Sequence, residues 1–315
     1  MKPRQKCNVF REPTGDLEVV GLCSDLVDIA VVPALGSKIV RLHDRHADRE
    51  WTWSARTERT LHRNKIGDDF ERSPLIGIDE CIPTIAPCRS GEVEFPDHGE
   101  AWMRTWELDD QALDDCAIVT SLMLSTCPLR LVRRITVEDA RVRIDYTLQH
   151  LGFAPIPYAW ALHPLFAMRQ GDHLEIADAP AEGRVDSAMG LGGLEADGTC
   201  AWPSPLPNVE LDTFALGREP ACVKLYLRTA PAGSFAIVND RDGTTLRCRY
   251  GPPEVLPYLG VWITRGGWNG FHHFAIEPCN VDNDDATAID PERSPAAVIS
   301  PRETRQWFVH YALGR

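Results

Sequence analysis

Alternating apolar and polar residues dominate the middle of this 315-residue chain. In the segment 141–149, the apolar residues Val142, Ile144, Tyr146 and Leu148 alternate with Arg143, Asp145 and Thr147. This period of two is typical of a strand with one buried face. The segment before it alternates from Leu129 to Glu138, interrupted at Arg133, and Asp139 with Ala140 fits a tight turn. The sequence therefore predicts an antiparallel hairpin.

Other short segments show the same strand character. They are 17–20, 28–32, 38–43, 117–124, 174–176, 223–227, 234–239, 245–250, 260–264, 273–277 and 305–311. Asp242-Gly243 fits the tip of a hairpin, because glycine adopts positive φ without strain. We see no long amphipathic helix. The stretch 178–207, rich in Gly, Ala, Asp and Pro, is interpreted as a long loop. We predict an all-β protein, one β-sandwich domain over 1–315.

Composition limits the possible partners and location. The net charge of −13 disfavours nucleic acid and anionic membranes, which would repel the chain. No apolar core of a signal peptide follows the basic N-terminus, and no apolar run reaches the ~18 residues of a membrane span. We therefore expect a cytoplasmic protein. The ten cysteines form no CxxC pair and are interpreted as buried thiols, so neither a metal nor another cofactor is expected.

Three distant segments each place an ionisable side chain among aromatic, proline and glycine residues. They are FPDHGEAWMRTW around His98, YAWALHPLF around His163 and FHHFAIEPC around Glu277. Two imidazoles and a carboxylate are suited to moving protons between two oxygens at neutral pH. Flat aromatic rings suit the apolar faces of a sugar. Taken singly, His98 also fits a turn, His163 a core histidine and Glu277 an idle exposed strand end.

Taken together, the segments resemble the galactose mutarotase (aldose 1-epimerase) superfamily. DIAVVPALGSKIVRLHD is similar to the opening strands of the family, and PDHGEAWMRTWEL resembles its His-Gly motif. LHPLF resembles its His-Pro-Tyr-Phe motif, and AIEP the strand with the catalytic Glu. The resemblance spans about residue 28 to the last strand. It implies a supersandwich of large twisted antiparallel sheets, with a sugar site on the concave face.

The resemblance also implies roles for individual residues. Glu277 would be the general base for the anomeric hydroxyl, His163 the general acid for the ring oxygen, and His98 a hydrogen-bonding partner beside it. The sugar-binding residues that we predict are Asp79, Arg72, Trp102, Arg104 and Trp268. Leu165 stands where the family commonly has Tyr, and the segment GIDECIPT also departs from galactose-specific members. These departures leave the identity of the sugar open.

The leading hypothesis is an enzyme that interconverts the α and β anomers of a free monosaccharide without a cofactor. A sugar-binding protein without catalysis and an epimerase for phosphorylated hexoses remain alternatives on the same fold. A carbohydrate lyase or a glycosidase is a further option. The partner is expected to be a small sugar, and the protein a monomer or a homodimer.

Overall fold

The computed structural model describes residues 7–229, 233–292 and 294–315. Its strands, in chain order, are β1 (Asn8–Thr14), β2 (Leu17–Cys23), β3 (Val27–Val32), β4 (Lys38–Asp44), β5 (Arg49–Glu50), β6 (Ile78–Cys81), β7 (Cys88–Ser90), β8 (Val93–Phe95), β9 (Glu107–Leu108), β10 (Ala117–Met123), β11 (Leu129–Glu138), β12 (Arg141–His150), β13 (Ile156–Pro157), β14 (Ala161–Pro164), β15 (Phe166–Ala167), β16 (Asp172–Ile176), β17 (Glu182–Met189), β18 (Thr199–Ala201), β19 (Ala221–Arg228), β20 (Ser234–Asn239), β21 (Thr245–Gly251), β22 (Tyr258–Arg265), β23 (His272–Cys279), β24 (Val298–Ile299) and β25 (Thr304–Gly314). Helical structure in these ranges is limited to α1 (Asp110–Asp114) and 3₁₀ turns at Phe70–Arg72, Ala101–Met103, Ala286–Ala288 and Pro295–Ala297.

Two large antiparallel sheets contain most of these strands. The larger follows the order β1-β2-β3-β4-β6-β14-β23-β22-β19-β17-β18, with β5 paired to β4 and β15 to β23. The smaller follows the order β16-β20-β21-β25-β12-β11-β10-β9, and two short pairs, β13-β24 and β7-β8, lie outside both. The predicted all-β architecture is therefore confirmed. No helix in the described ranges combines the length and the apolar character needed to cross a bilayer.

The main hydrophobic core joins the two sheets. Leu22 and Ile29 from the larger sheet belong to the same buried cluster as Ile144 and Val309 from the smaller one. Each strand of the predicted hairpin buries its apolar residues, and Glu138 pairs with Arg141 across the two-residue turn. Burial of one face of each sheet explains the alternation in the sequence.

Two sequence interpretations are corrected. The stretch 178–207 contains β17 and β18, which form an edge of the larger sheet, rather than only a loop. Glycine is required at Gly190, which has a φ of 75° and where a Cβ would collide with the backbone oxygen of Pro220. In addition, the alternating arginines of 130–143 are typical of a solvated strand face, but Arg133 is not exposed with its neighbours. It is fully buried and pairs with Glu80 at 2.9 Å, between the sheets.

Candidate functional site

Five neighbouring strands at the centre of the larger sheet form the floor of the candidate site. These strands are β6, β14, β23, β22 and β19, in that order. Asp79 on β6 pairs in register with His163 on β14, and Glu277 on β23 pairs with Gly260 on β22. Lys224 on β19 reaches across Gly260 to donate a hydrogen bond to Glu277 Oε2. The antiparallel register therefore brings together residues that are distant in sequence.

His98 approaches this floor from a loop. Its backbone has a φ of 59°, an uncommon conformation for a residue other than glycine, and its amide donates to the Ile85 carbonyl at 2.7 Å. Its imidazole is stacked on Phe70, with ring centroids 3.7 Å apart. The His98 and His163 rings meet edge to face at 4.9 Å, and His163 Nε2 lies 3.8 Å from Glu277 Oε1. The three residues predicted to be catalytic thus lie together.

A cavity of about 200 Å³ opens above this group. Its lining includes His98, His163, His273, Lys224, Asp284, Trp262 and Trp268, together with Phe70, Glu71, Asp97 and Ser187. The volume is below the range typical of sites for drug-sized ligands, so it suits one small ring. Two indole rings supply the flat apolar surface on one side. No group of His, Cys, Asp or Glu within the described ranges is arranged to hold a metal ion.

Glu277 and Lys224 form a buried ion pair. Glu277 is completely buried, and the side chain of Lys224 is 6% exposed. Burial raises the pKa of Glu277 above its ordinary value, and the positive charge of Lys224 limits the rise. Burial acts in the opposite sense on Lys224, but Glu277 and Asp284 outweigh it and raise the pKa of Lys224. Each charge of the pair therefore favours the ionised form of the other.

Both buried histidines of the cavity are neutral at neutral pH. The pKa of His163 lies well below its ordinary value because of burial and because the charges of His98 and Lys224 would repel an imidazolium. Burial, with a smaller contribution from His272, lowers the pKa of His273 to about 3. A neutral imidazole donates one hydrogen bond and accepts another. His163 is therefore suited to hydrogen bonding with a ligand oxygen rather than to releasing a full proton.

Asp284 forms part of the cavity rim and is tied to the sheet. Its carboxylate accepts a hydrogen bond from the hydroxyl of the buried Tyr226. Its backbone carbonyl accepts hydrogen bonds from the amides of Ile85 at 3.1 Å and Ala86 at 2.8 Å. Burial and the charge of Asp284 raise the pKa of nearby Asp186 to about 6. The two carboxyl groups make this rim acidic, and hydrogen bonds to both the side chain and the backbone of Asp284 fix its position.

Several buried polar atoms around the cavity have no hydrogen-bonding partner. They are His98 Nδ1, His163 Nδ1, His273 Nδ1 and Glu277 Oε1. Although His98 Nδ1 lies 3.1 Å from Asp97 Oδ2, the geometry does not make a hydrogen bond. A buried polar atom without a partner costs about 1–3 kcal/mol, so such atoms call for an explanation. A ligand with several hydroxyl groups in the cavity would satisfy them.

Solved structures share this arrangement of sheets. Neither a protein-family model nor a curated protein matches the sequence. The galactose mutarotase-like protein of Clostridium acetobutylicum has a TM-score of 0.67 at 11% identity, over 99% of each chain. The galactose mutarotase related enzyme of Lactobacillus acidophilus has a TM-score of 0.64 at 13% identity, over 98% of each chain. A galactose mutarotase-like protein of Lactobacillus casei has a TM-score of 0.64 at 12% identity, over 98% of this chain and 100% of that one.

The chain has the galactose mutarotase-like fold. The resemblance seen in the sequence is thus confirmed at the level of the fold. Sequence identities this low carry no functional assignment, so the chemistry rests on the residues of this chain.

Within the galactose mutarotase-like fold, the five predicted sugar-binding residues occupy different settings. Trp268 lines the cavity, and its indole donates to Glu71 at 3.0 Å. Asp79 is buried in an ion pair with Lys38 at 2.6 Å, with one carboxylate oxygen unpartnered. Trp102 is fully buried and donates to the Asp97 carbonyl at 2.9 Å, so it braces the His98 loop.

The two predicted arginines lie outside the cavity lining. Arg104 contacts Glu100 at 2.8 Å and Ser125 at 2.7 Å. The side chain of Arg72 is 87% exposed and lies in a neighbouring groove with Arg56 and His62. The sugar-binding roles of all five residues remain predictions.

Sequence reasoning missed Lys224, Asp284 and Phe70. Lys224 lies in the apolar run ACVKLYL, where a single charged residue was an available signal of a buried site. Asp284 belongs to VDNDDA, whose polar composition is typical of an exposed turn, whereas Asp284 lines the cavity. Of the adjacent pair His272 and His273, only His273 reaches the cavity, as expected for successive side chains on opposite faces of a strand.

Proposed function

We propose that the protein is an aldose 1-epimerase that interconverts the α and β anomers of a free monosaccharide. The observation that carries the proposal is the cluster of His98, His163 and Glu277, with a buried unpartnered polar atom on each. Both histidines line one small cavity, and Glu277 Oε1 lies 3.8 Å from His163 Nε2. A carboxylate and two imidazoles beside a ring-sized space match the needs of acid–base opening of a hemiacetal.

Each group has a role that follows from its setting. Glu277, buried beside the Lys224 ammonium, takes the proton from the anomeric hydroxyl. His163 and His98, whose rings are 4.9 Å apart, hydrogen-bond the ring oxygen and its neighbouring hydroxyl. Because Glu277 Oε1 and His163 Nε2 are 3.8 Å apart, one ligand hydroxyl can lie within hydrogen-bonding distance of both. Trp262 and Trp268 provide the surface for the apolar face of the sugar.

Polarimetry or NMR exchange on a panel of aldoses tests the proposal. We expect acceleration of anomer exchange for at least one sugar and a loss of about 10²–10⁴-fold in Glu277→Gln. Glu175→Gln, on the other sheet, is the matched control and should keep full activity. Binding of a sugar without acceleration would instead favour a non-catalytic sugar-binding protein.

A phosphorylated hexose is the second candidate substrate. The groove containing Arg56, His62 and Arg72 shares Glu71 and Leu75 with the cavity, so a phosphate on a bound sugar could reach arginine side chains. The acidic residues Asp97 and Asp284 in the cavity itself favour a neutral sugar. Competition by inorganic phosphate, abolished in Arg56→Ala with Arg72→Ala, would select the phosphorylated substrate.

A further inference from the structure

Lys224 and Glu277 form their ion pair across an intervening strand. Gly260 on β22 lies between them, and a Cβ at that position would be 3.2 Å from Glu277 Oε2 and 3.4 Å from Lys224 Nζ. The first distance is tighter than an ordinary van der Waals contact, and the second is at the lower limit of one. A side chain at residue 260 would therefore press on the ion pair, and glycine at this position leaves room for the ammonium group.

The ammonium group also has unused hydrogen-bonding capacity. An ammonium carries three donors, but Glu277 Oε2 is its one hydrogen-bond acceptor among the described residues. Lys224 lines the cavity, and its Nζ lies 5.4 Å from the centroid of the Tyr226 ring. Its remaining donors are thus available to a ligand in the cavity. The unpartnered Oε1 of Glu277 lies next to this cavity, 3.8 Å from Nε2 of the lining residue His163.

We propose that Lys224 is a catalytic residue that holds Glu277 ionised and delivers the proton to the ring oxygen of the sugar. The proposal rests on the proposed function and adds a proton donor to it. It also explains how ring opening proceeds although His163 is neutral and a poor proton donor.

The ion pair and the sugar exchange all the protons that the reaction needs, so no proton is gained or lost overall. The Glu277 carboxylate takes the proton of the anomeric hydroxyl as the C1–O5 bond breaks and O5 takes the bonding electrons. Lys224 gives a proton to O5, which yields the open-chain aldehyde and a neutral amine. Protonated Glu277 then returns its proton to Lys224, and the pair is restored. Rotation about C1–C2 and the reverse steps close the other anomer.

Protonation of Glu277 lowers the pKa of Lys224 at the step in which Lys224 releases its proton to O5. The pKa of Lys224 is raised by the negative charges of Glu277 and Asp284, against the effect of burial. Once Glu277 takes a proton, the larger of these two contributions is lost, so the pKa of Lys224 falls. The other ionisable groups near Glu277 are Asp284 at the rim, His98 from its loop, His163 from β14, and the buried Cys81, Tyr226 and Cys279 from the sheet. Asp284 opposes ionisation of Glu277, and Lys224 supplies the compensating charge.

Carboxyl NMR of glutamate-labelled protein tests the first half of the proposal, independently of activity. We expect Glu277 to be ionised at pH 7 in the wild type and protonated in Lys224→Met, because a buried carboxylate without a cation takes up a proton. Lys65→Met, which removes an exposed lysine, is the control and should leave Glu277 unchanged. If the Glu277 carboxyl titrates over the same pH range in Lys224→Met as in the wild type, this half of the proposal is overturned.

Kinetics test the second half. In Lys224→Met we expect kcat to fall by about 10²-fold or more while KM changes less than about threefold, and the acid limb of the pH–rate profile to move upwards. Lys224→Arg keeps the positive charge beside Glu277, so it can be measured even if Lys224→Met does not fold. It should leave Glu277 ionised yet lower kcat at least about 10-fold, because a guanidinium does not release its proton.

Two outcomes distinguish failure of the catalytic role of Lys224 from failure of the proposed function. An active wild type whose Lys224→Arg and Lys224→Met variants keep full kcat overturns the catalytic role of Lys224 alone. A wild type that accelerates no aldose overturns the proposed function and the proton delivery together, whereas the NMR result still decides whether Lys224 holds Glu277 ionised.

Discussion

Phe70 lies flat on the imidazole of His98, with ring centroids 3.7 Å apart and ring planes 12° apart. The same phenyl ring meets the His163 imidazole edge to face at 5.8 Å. One aromatic side chain therefore orients both imidazoles of the candidate site. Since His98 is on a loop with an uncommon backbone conformation, this packing defines where its nitrogen atoms lie.

Phe70→Ala is expected to lower the free energy of unfolding by about 3 kcal/mol, because Phe70 is 3% exposed and a cavity would remain. Anomer exchange should fall as well, since His98 loses its support. Urea unfolding and polarimetry measure the two effects. The matched control is Phe153→Ala, at a side chain 84% exposed, where a change within about 0.5 kcal/mol is expected. A loss below about 1 kcal/mol in Phe70→Ala would argue against the packing role.

His273 should make the protein less stable in acid. Its pKa is about 3 in the folded protein against an ordinary value of 6.5, so the unfolded chain binds more protons between these values. Stability is therefore highest above pH 6.5 and declines as the pH falls towards 3. Between pH 7 and 4.5, His273→Phe should lose about 2 kcal/mol less than the wild type in urea unfolding. The exposed neighbour offers the control His272→Phe, and equal losses in wild type and His273→Phe would contradict the assignment.

Asp79→Asn is expected to lower the free energy of unfolding by about 3 kcal/mol, because it leaves Lys38 charged and buried without its partner. Combining Asp79→Leu with Lys38→Met removes both charges and should recover most of the loss. Denaturant unfolding of the two variants gives the comparison. If the single variant is as stable as the wild type but binds sugar weakly, Asp79 acts on the ligand and not on stability.

Gly260→Ala should separate Lys224 from Glu277. The added methyl would be 3.2 Å from Glu277 Oε2, so the carboxylate has to move. We expect a loss of about 1 kcal/mol in unfolding free energy from overpacking and a fall of about 10-fold in kcat. Gly192→Ala is the control, because a Cβ there meets nothing within 4 Å. Unchanged kcat in Gly260→Ala would show that the spacing of the pair is unimportant.

Local pattern was sufficient to predict most of the strands. The segments 234–239 and 129–138 match the observed strands, and others differ at their ends by one to three residues. Alternation is clearest in strands such as 129–138 and 141–150, because one face of each is buried and the other is largely exposed. The strand Glu182–Met189 was missed because only Gly183 and Val185 of its eight residues are buried, so its sequence shows little apolar alternation.

The candidate site was only partly predictable for a related reason. His98, His163 and Glu277 are embedded in recognisable motifs, so their resemblance to a family placed them together. Lys224 and Asp284 belong to no such motif. The partner of Asp284 is Tyr226, 58 residues away, and the partner of Lys224 is Glu277, 53 residues away. Contacts at such separations depend on strand order, which the sequence pattern did not specify.

The hydrogen bonds that anchor Asp284 have a consequence for how the cavity receives a ligand. With the carboxylate held by Tyr226 and the carbonyl held by two amides, this wall needs no ordering when a ligand arrives. Binding therefore loses little conformational entropy on that side of the cavity. Association should be fast and close to rigid-body docking, and the heat capacity change on binding should reflect only the apolar area that the ligand covers.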